Sequence, residues 1–223
     1  MRKTVIFDLD GTLLDTLEDL WRSVNAALEA FACPKRTKEQ VRQAVGNGVR
    51  NLMRLSMPEG EENPGFEECF HAFQKHYAEH LNDHTGPYAG IMELLHRLQD
   101  EGYAMAIVSN KSDSAVKELN RRIFGKYIRI AIGESADIRR KPAPDTVYAA
   151  MRELGVEKED CIYVGDSEVD VMTSKNSGIP CILVSWGFRD RSVLEKLEAE
   201  CIVDSAGELY EKIGEWIKFP KQI

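Results

Sequence analysis

The chain has 223 residues with a formal charge of −8, 43% hydrophobic and 30% charged residues. This composition excludes a disordered polymer, and a chain this long buries about 70% of its unfolded surface without disulfides or a structural metal. An acidic balance argues against a nucleic-acid partner, which calls for a basic face, and no apolar run approaches the ~20 residues of a membrane span.

Met1-Arg2-Lys3 is followed by only Val5-Ile6-Phe7 before Asp8, too short an apolar run for a secretory leader. Cysteines 33, 69, 161, 181 and 201 are widely spaced and form no Cys-x-x-Cys pair. Together these features predict a reduced, cytoplasmic protein.

In chain order, short apolar runs alternate with helix-length segments. Strands are expected at Thr4–Phe7, Ala104–Val108, Ile128–Ile132, Cys161–Val164, Cys181–Val184 and Cys201–Val203. Helices are expected at Ala89–Gly102, Ser112–Phe124, Asp145–Gly155 and Asp170–Gly178. Near-continuous apolar strands alternating with helices predict an α/β fold, a parallel sheet covered on both faces. One long gap breaks the rhythm. Between the first two strands lie helical patterns at Thr16–Phe31, Thr37–Met57 and Phe66–Asn82, interrupted by Pro34 and by Glu59–Gly65. Asp15-Thr16-Leu17-Glu18 has the form of a capping box opening the first of them. Residues 16–83 are therefore expected to be a helical insertion in a core of 1–15 and 84–223. Its Met53, Met57, Phe66, Phe70 and Phe73 are expected to form its own apolar core.

Ligands of open parallel sheets bind beyond the carboxyl ends of the strands, so the residues that end each strand carry the chemistry. The first strand runs into Asp8-Leu9-Asp10-Gly11-Thr12. Two close carboxylates repel, which raises one pKa or calls for a cation between them; oxygen ligands suit Mg²⁺. A turn with side-chain caps accounts for the same residues. The second strand ends in Ser109-Asn110-Lys111, either a phosphate cradle or a helix N-cap. Lys141, in Arg139-Arg140-Lys141-Pro142-Ala143-Pro144-Asp145, is a counter-charge on a stiff loop or part of a solvated basic segment, and Asp145 can cap the next helix. Gly165-Asp166-Ser167-Glu168-Val169-Asp170 again places acids at a strand tip. Asp166 could complete a metal site with Asp8 and Asp10, while Asp170 could orient it or cap a helix. Each alone has a plain structural account. Jointly they form a kit for holding a phosphate with a divalent metal.

Asp8-Leu9-Asp10-Gly11-Thr12-Leu13-Leu14-Asp15-Thr16, followed in order by Ser109, Lys141 and Gly165-Asp166…Asp170, resembles the motif set of the haloacid dehalogenase superfamily. Gly178-Ile179-Pro180 and Trp186-Gly187-Phe188 are similar to its downstream segments, so the resemblance spans essentially the whole chain. It implies a Rossmann-like core with a helical cap at 16–83 and is greatest to the phosphoglycolate-phosphatase-like branch, in whose cap a segment like Val45-Gly46-Asn47-Gly48 occurs. The resemblance further implies an Asp8 nucleophile, an Asp10 acid and base, and phosphate contacts from Ser109, the Asn110 amide and Lys141. It implies Mg²⁺ held by the Asp8 and Asp166 carboxylates and the Asp10 backbone carbonyl, with Asp170 behind them. Asn47 and Arg50 are the candidate cap contacts, with Arg54 as an alternative reader of a substrate carboxylate. The second Asp of the first motif separates phosphotransferases from dehalogenases. The expected partner is a small phosphorylated metabolite, 2-phosphoglycolate first, with neither nucleic acid nor membrane; monomer and homodimer are equally compatible with the sequence.

Four rival readings remain open on the sequence. A phosphosugar mutase and a pyrophosphatase share the motifs. A receiver-type phospho-acceptor domain uses a similar set, although its accepting Asp sits on a later strand and no output domain is seen here. His76-Tyr77-Ala78-Glu79-His80, extended by His84, matches a zinc-peptidase pattern on an inserted helix, with a solvated helix face as the plain reading.

Overall fold

A computed structural model describes residues 3–218. The chain divides into two compact units, Met1–Leu13 with Pro87–Ile223 and Leu14–Gly86.

The first unit is built on six strands: β1 (Thr4–Phe7), β4 (Ala104–Ser112), β5 (Ile130–Glu134), β6 (Cys161–Gly165), β7 (Cys181–Val184) and β8 (Cys201–Val203). Their order is β5-β4-β1-β6-β7-β8, with every neighbour parallel. Central strand β1 is apolar throughout Val5-Ile6-Phe7 and fully buried there, as a strand covered on both faces must be. Helices α5 (Ile91–Asp100), α6 (Asp113–Leu119), α7 (Asp145–Leu154), α8 (Glu168–Ser177), α9 (Arg191–Leu194) and α10 (Ala206–Lys218) supply the layers. Ile6, Val108, Val147, Tyr163, Val171 and Leu183 belong to one of its cores. The expected α/β architecture is what forms. Phe7 is in register with Ile107 on one side and Val164 on the other. The residues just past these positions therefore come out at one edge of the sheet.

Boundaries differ from expectation around β4, the helix that follows it and β5. Strand β4 runs on through Ser109-Asn110-Lys111 to Ser112, with an irregular register against β5 between Val108 and Ser112. Ser112 then precedes α6 without a side-chain cap bond. The helix expected over Ser112–Phe124 is α6 followed by a π-helical turn, Asn120–Phe124. The Asn120 side-chain amide donates to the Ile128 carbonyl, and β5 starts at Ile130 rather than at Ile128.

The second unit contains α1 (Leu17–Ala30), α2 (Lys38–Ala44), α3 (Gly48–Ser56), a short 3₁₀ turn at Gly60–Glu62 and α4 (Phe66–His80). Short strands β2 (Leu14–Asp15) and β3 (Gly86–Pro87) pair where the chain enters and leaves this segment. Leu20, Val24, Leu28, Val41, Leu52, Met53, Phe66 and Phe73 interlock in its core, with Met57 and Phe70 beside them. Thr37–Met57 is two helices rather than one, because Val45-Gly46-Asn47 breaks it. Gly46 (φ 123°) and Gly48 (φ 80°) occupy backbone space that side chains disfavour. The capping box lies at Thr37, not at Thr16. The Thr37 hydroxyl accepts the Gln40 N–H at 3.2 Å and the Gln40 side chain accepts the Thr37 N–H at 2.9 Å. Thr16 makes no such bond, and the Asp15 carboxylate takes the Leu17 N–H instead.

Removing a reciprocal cap exposes two backbone donors to weaker partners. Thr37→Ala is expected to destabilise the protein by about 1 kcal/mol in urea titration, against no measurable effect for Thr16→Val at the site without a cap bond.

Candidate active site

Parallel pairing fixes the first part of the site. The Asp8 N–H donates to the Val164 carbonyl at 2.9 Å, so the chain leaving β1 runs beside the chain leaving β6. That brings Asp8 next to the Gly165-Asp166 tip. The loop before α7 then delivers Lys141, which is buried and whose Nζ lies 2.6 Å from Asp8 Oδ1, 2.8 Å from Asp170 Oδ1 and 3.0 Å from the Tyr163 hydroxyl. All three ammonium protons are thereby directed to oxygen. Oxygens of Asp8, Asp166 and Asp170 lie within 4.8 Å of one another.

Asp170 is held from several sides. Its Oδ2 accepts the Asp166 and Ser167 N–H groups and the Ser167 hydroxyl, at 3.2, 3.1 and 2.6 Å, while its Oδ1 accepts the Tyr163 hydroxyl at 2.9 Å. Ser167 and Asp170 form the capping box that opens α8. The two readings of Asp170, cap and orienter, are thus the same set of bonds. Asp166 Oδ2 accepts the Phe188 N–H at 2.7 Å. The β7–α9 loop comes so close that a Cβ on Gly187 would lie 2.4 Å from Asp166 Cβ and 2.4 Å from the Gly11 carbonyl oxygen. Gly11, at φ 89°, is equally crowded by Asp166. Glycine at both positions is what lets two loops press on one carboxylate.

Burial dominates the electrostatics. It raises Asp8 to about 7 against the opposing attraction of Lys141, with the Asp170 charge adding to the rise. Burial, then the Asp170 and Asp8 charges, carry Asp166 well above the carboxylate range. Burial alone would raise Asp170 as well, but Lys141 and the donors around it hold it below its ordinary value. Burial opposes the charge on Lys141, yet the two aspartates keep it raised and protonated. Lys141 pairs with Asp8 and Asp170, while Asp166 beside them pairs with no lysine among the described residues, and burial makes both Asp8 and Asp166 costly to ionise. An all-oxygen set whose raised carboxylates call for a further cation to ionise fits a hard divalent ion such as Mg²⁺. Asp8 and Asp166, expected as ligands, stand in that set. The Asp10 carboxylate does not; its backbone carbonyl is the atom that the family resemblance assigns to the metal.

Asp10 has its own partner. Lys111 Nζ lies 2.8 and 3.0 Å from its two carboxylate oxygens, with Lys111 buried and Asp10 half-buried. The mutual repulsion expected of the Asp8–Asp10 pair is relieved by two separate lysines. Ser109 and Asn110 are buried at the β4 tip. The Ser109 hydroxyl accepts the Lys111 N–H at 3.2 Å. The Asn110 side-chain amide donates to the Lys141 carbonyl at 3.0 Å, so here it braces the lysine loop. Asp145 does not cap α7; Pro144 holds that position, and Asp145 binds the Arg139 guanidinium.

Asn47 and Arg50 belong to the helical unit. Asn47 is the exposed residue before α3 and makes no side-chain cap bond. The Arg50 guanidinium pairs with Glu61 at 2.9 Å and with Glu67, and lies over the Phe66 and Phe70 rings at 5.1 and 5.4 Å. Arg54 donates to the Asn51 side chain.

Two participants were not foreseen. Lys111 stood in the motif beside Ser109 and Asn110, but only the extension of β4 shows that it turns to Asp10. Tyr163 read as one more apolar strand residue; a buried tyrosine hydroxyl needs a polar partner, and that requirement was its one signal.

The chain belongs to the haloacid dehalogenase-like hydrolase family, whose model matches residues 5–184, and it is therefore an enzyme. Among curated proteins, "Phosphoglycolate phosphatase 1" of Pseudomonas aeruginosa is 32% identical over 213 residues, 93% of this chain and 78% of that protein. A phosphoglycolate phosphatase of Chromobacterium violaceum is 29% identical over 94% of this chain and 95% of its own. A crystal structure from Lactobacillus delbrueckii subsp. bulgaricus, provisionally named a phosphoglycolate phosphatase, superposes with a TM-score of 0.90 at 36% identity, covering 96% of this chain and 99% of that one.

Lys141→Met leaves the buried Asp8 and Asp170 without their cation. A loss of about 3–5 kcal/mol at pH 8 is expected in metal-free urea titration. Without Lys141 the folded Asp8 pKa rises further above its unfolded value, so the folded state gains protons relative to the unfolded one as pH falls. The loss is therefore expected to shrink toward pH 5, checked by repeating the titration there.

Proposed function

We propose that this hydrolase is a Mg²⁺-dependent phosphatase that cleaves a small phosphomonoester through a phosphorylated Asp8. The observation that carries this reading is Asp8 Oδ1 held 2.6 Å from the buried Lys141 ammonium, inside a carboxylate set fit for a divalent cation. Asp8 attacks phosphorus with a carboxylate oxygen. The P–O bond to the leaving alkoxide breaks, and Asp10, in its protonated form, gives that oxygen a proton. The acyl phosphate is then hydrolysed by a water whose proton goes to Asp10, which restores the acid; phosphate departs and Asp8 is free again. In this reading Lys141, the Ser109 hydroxyl and the Asn110 backbone amide neutralise and orient the transferring oxygens. Bound by Asp8, Asp166 and the Asp10 carbonyl, Mg²⁺ would supply charge that offsets the phosphate dianion. Lys111, 2.8 and 3.0 Å from the two Asp10 oxygens, fixes the direction of that side chain. The helical unit serves as the cap that excludes water from the first step and selects the leaving group.

The names of the relatives support 2-phosphoglycolate as substrate. With a panel of small phosphomonoesters and pyrophosphate, 2-phosphoglycolate is expected to stand well above the rest, and EDTA to abolish its hydrolysis. Preference for pyrophosphate, or phosphate returned to a sugar rather than released, overturns the substrate assignment.

Asp8→Asn is expected to reduce turnover to background with the fold retained, and Asp10→Asn to lower kcat by about 10²- to 10⁴-fold, as for loss of a general acid–base. Wild-type rates in either variant remove the corresponding role.

Mg²⁺ binding must displace protons from carboxylates whose pKa burial has raised, Asp8 to about 7. Calorimetry of the metal titration is therefore expected to show proton release and weaker affinity at about pH 6 than at about pH 8. Equal affinity at both would mean that these carboxylates are not the ligands.

A further inference from the structure

The histidines of the zinc-peptidase-like pattern occupy a site of their own. His76, His80 and His84, three of the five histidines in the chain, line a cleft of about 250 Å³ with Asp19, Arg22 and Asp83. All six belong to the helical unit. His76 and His80 stand one turn apart on α4, and their ring centroids are 4.4 Å apart.

Each ring is held through Nδ1 by an oxygen. His80 Nδ1 lies 2.7 Å from the Asp83 carboxylate, His84 Nδ1 2.9 Å from Asp19, and His76 Nδ1 2.9 Å from the Ser23 hydroxyl. A carboxylate at Nδ1 keeps the proton there and leaves the lone pair on Nε2, the arrangement that prepares imidazole for a metal. Asp19 is the anchor of the group. It is buried and accepts the His84 and Thr85 N–H groups and the Thr85 hydroxyl as well as the His84 ring. With those bonds made, it orients His84 and is not itself a ligand. Burial and the neighbouring His80 lower the His76 pKa, in keeping with a neutral ring. Arg22 is the one cation of the lining, and Glu18 pairs with it at 2.6 Å.

We propose that this cleft is a second metal site, distinct from the aspartate cluster, in which His76 and His80 chelate a borderline divalent cation of the Ni²⁺ or Zn²⁺ type. Imidazole nitrogen suits these ions and not Mg²⁺, so the two sites sort metals by ligand chemistry. Among the described residues, only the aspartate cluster brings three carboxylate, imidazole or thiolate atoms within 4.8 Å. The histidine site is accordingly a two-nitrogen chelate with water in the remaining positions, and His84, held to Asp19, lines the cleft beside it. Both chelating rings lie on α4, where the Ser23 hydroxyl of α1 steadies His76, and the ion stabilises the fold by binding the folded helix and not the unfolded chain.

The test is calorimetric titration of untagged, full-length protein with Ni²⁺ under saturating Mg²⁺, paired with the Ni²⁺-induced shift in Tm. Nickel is chosen because it competes less for the cysteine thiols than zinc does. One equivalent is expected to bind and to raise Tm. His80→Ala, a substitution at a half-buried surface ring, and His76→Ala are each expected to weaken binding by about tenfold or more, and His84→Ala by less. His71→Ala and His96→Ala, at the two histidines outside the cleft, are expected to bind as the wild type does. If the wild-type chain takes up no Ni²⁺, or if the His76→Ala/His80→Ala double variant retains wild-type affinity and Tm shift, the proposal is overturned.

Discussion

The structure turns on a single buried ammonium. Lys141 is the bond between the end of β1, the interior of β6 and the first turn of α8, because Asp8, Tyr163 and Asp170 each give it an oxygen. A lysine so deeply buried is tolerated only with full compensation, and its partners are equally dependent on it. This mutual need fixes the position of Asp8 more tightly than the turn after β1 could. Asp8, Lys141 and Asp170 therefore cannot be changed one at a time without a cost to stability. Asp166 stands beside them with no lysine among the described residues, and burial makes it costly to ionise.

The acids are divided by their cations. Asp8 and Asp10 are two residues apart, yet one faces Lys141 and the other Lys111. The first lies in the dry cluster where burial lifts its pKa; the second is half-buried and outside that cluster. Two like groups two residues apart thus sit in different surroundings, each beside its own lysine. Asp170 serves a third purpose. It caps α8 and orients Lys141 with the same carboxylate, so the helix start and the charge network cannot be changed independently.

The helical unit follows another logic. Its core of leucine, methionine and phenylalanine is assembled within Leu14–Gly86 and owes nothing to the sheet. Its polar residues pair locally, as Arg50 does with Glu61 and Glu67. Such pairing ties the Arg50 guanidinium to Glu61 and Glu67 within the unit. The glycine break at Val45-Gly46-Asn47 shows how little helical periodicity says about continuity: the apolar spacing on both sides was sound, and two positive-φ glycines decided the matter.

By itself the sequence determined the alternation of strand and helix, the parallel sheet and the strand tips where chemistry would gather. These are local properties: apolar runs bounded by Asp, Ser and Gly report burial and chain reversal directly. The ordered motifs carried Asp8, Asp10, Ser109, Lys141 and Asp166 as candidates. Only the tertiary structure decided which charge meets which. That Lys111 turns to Asp10, that Tyr163 completes the Lys141 cage, and that Gly187 presses on Asp166 depend on β-strand register and loop approach between residues as many as 176 apart, Gly11 and Gly187 among them. Pairing at that range is set by the packing of the whole sheet, and no local pattern in the chain encodes it.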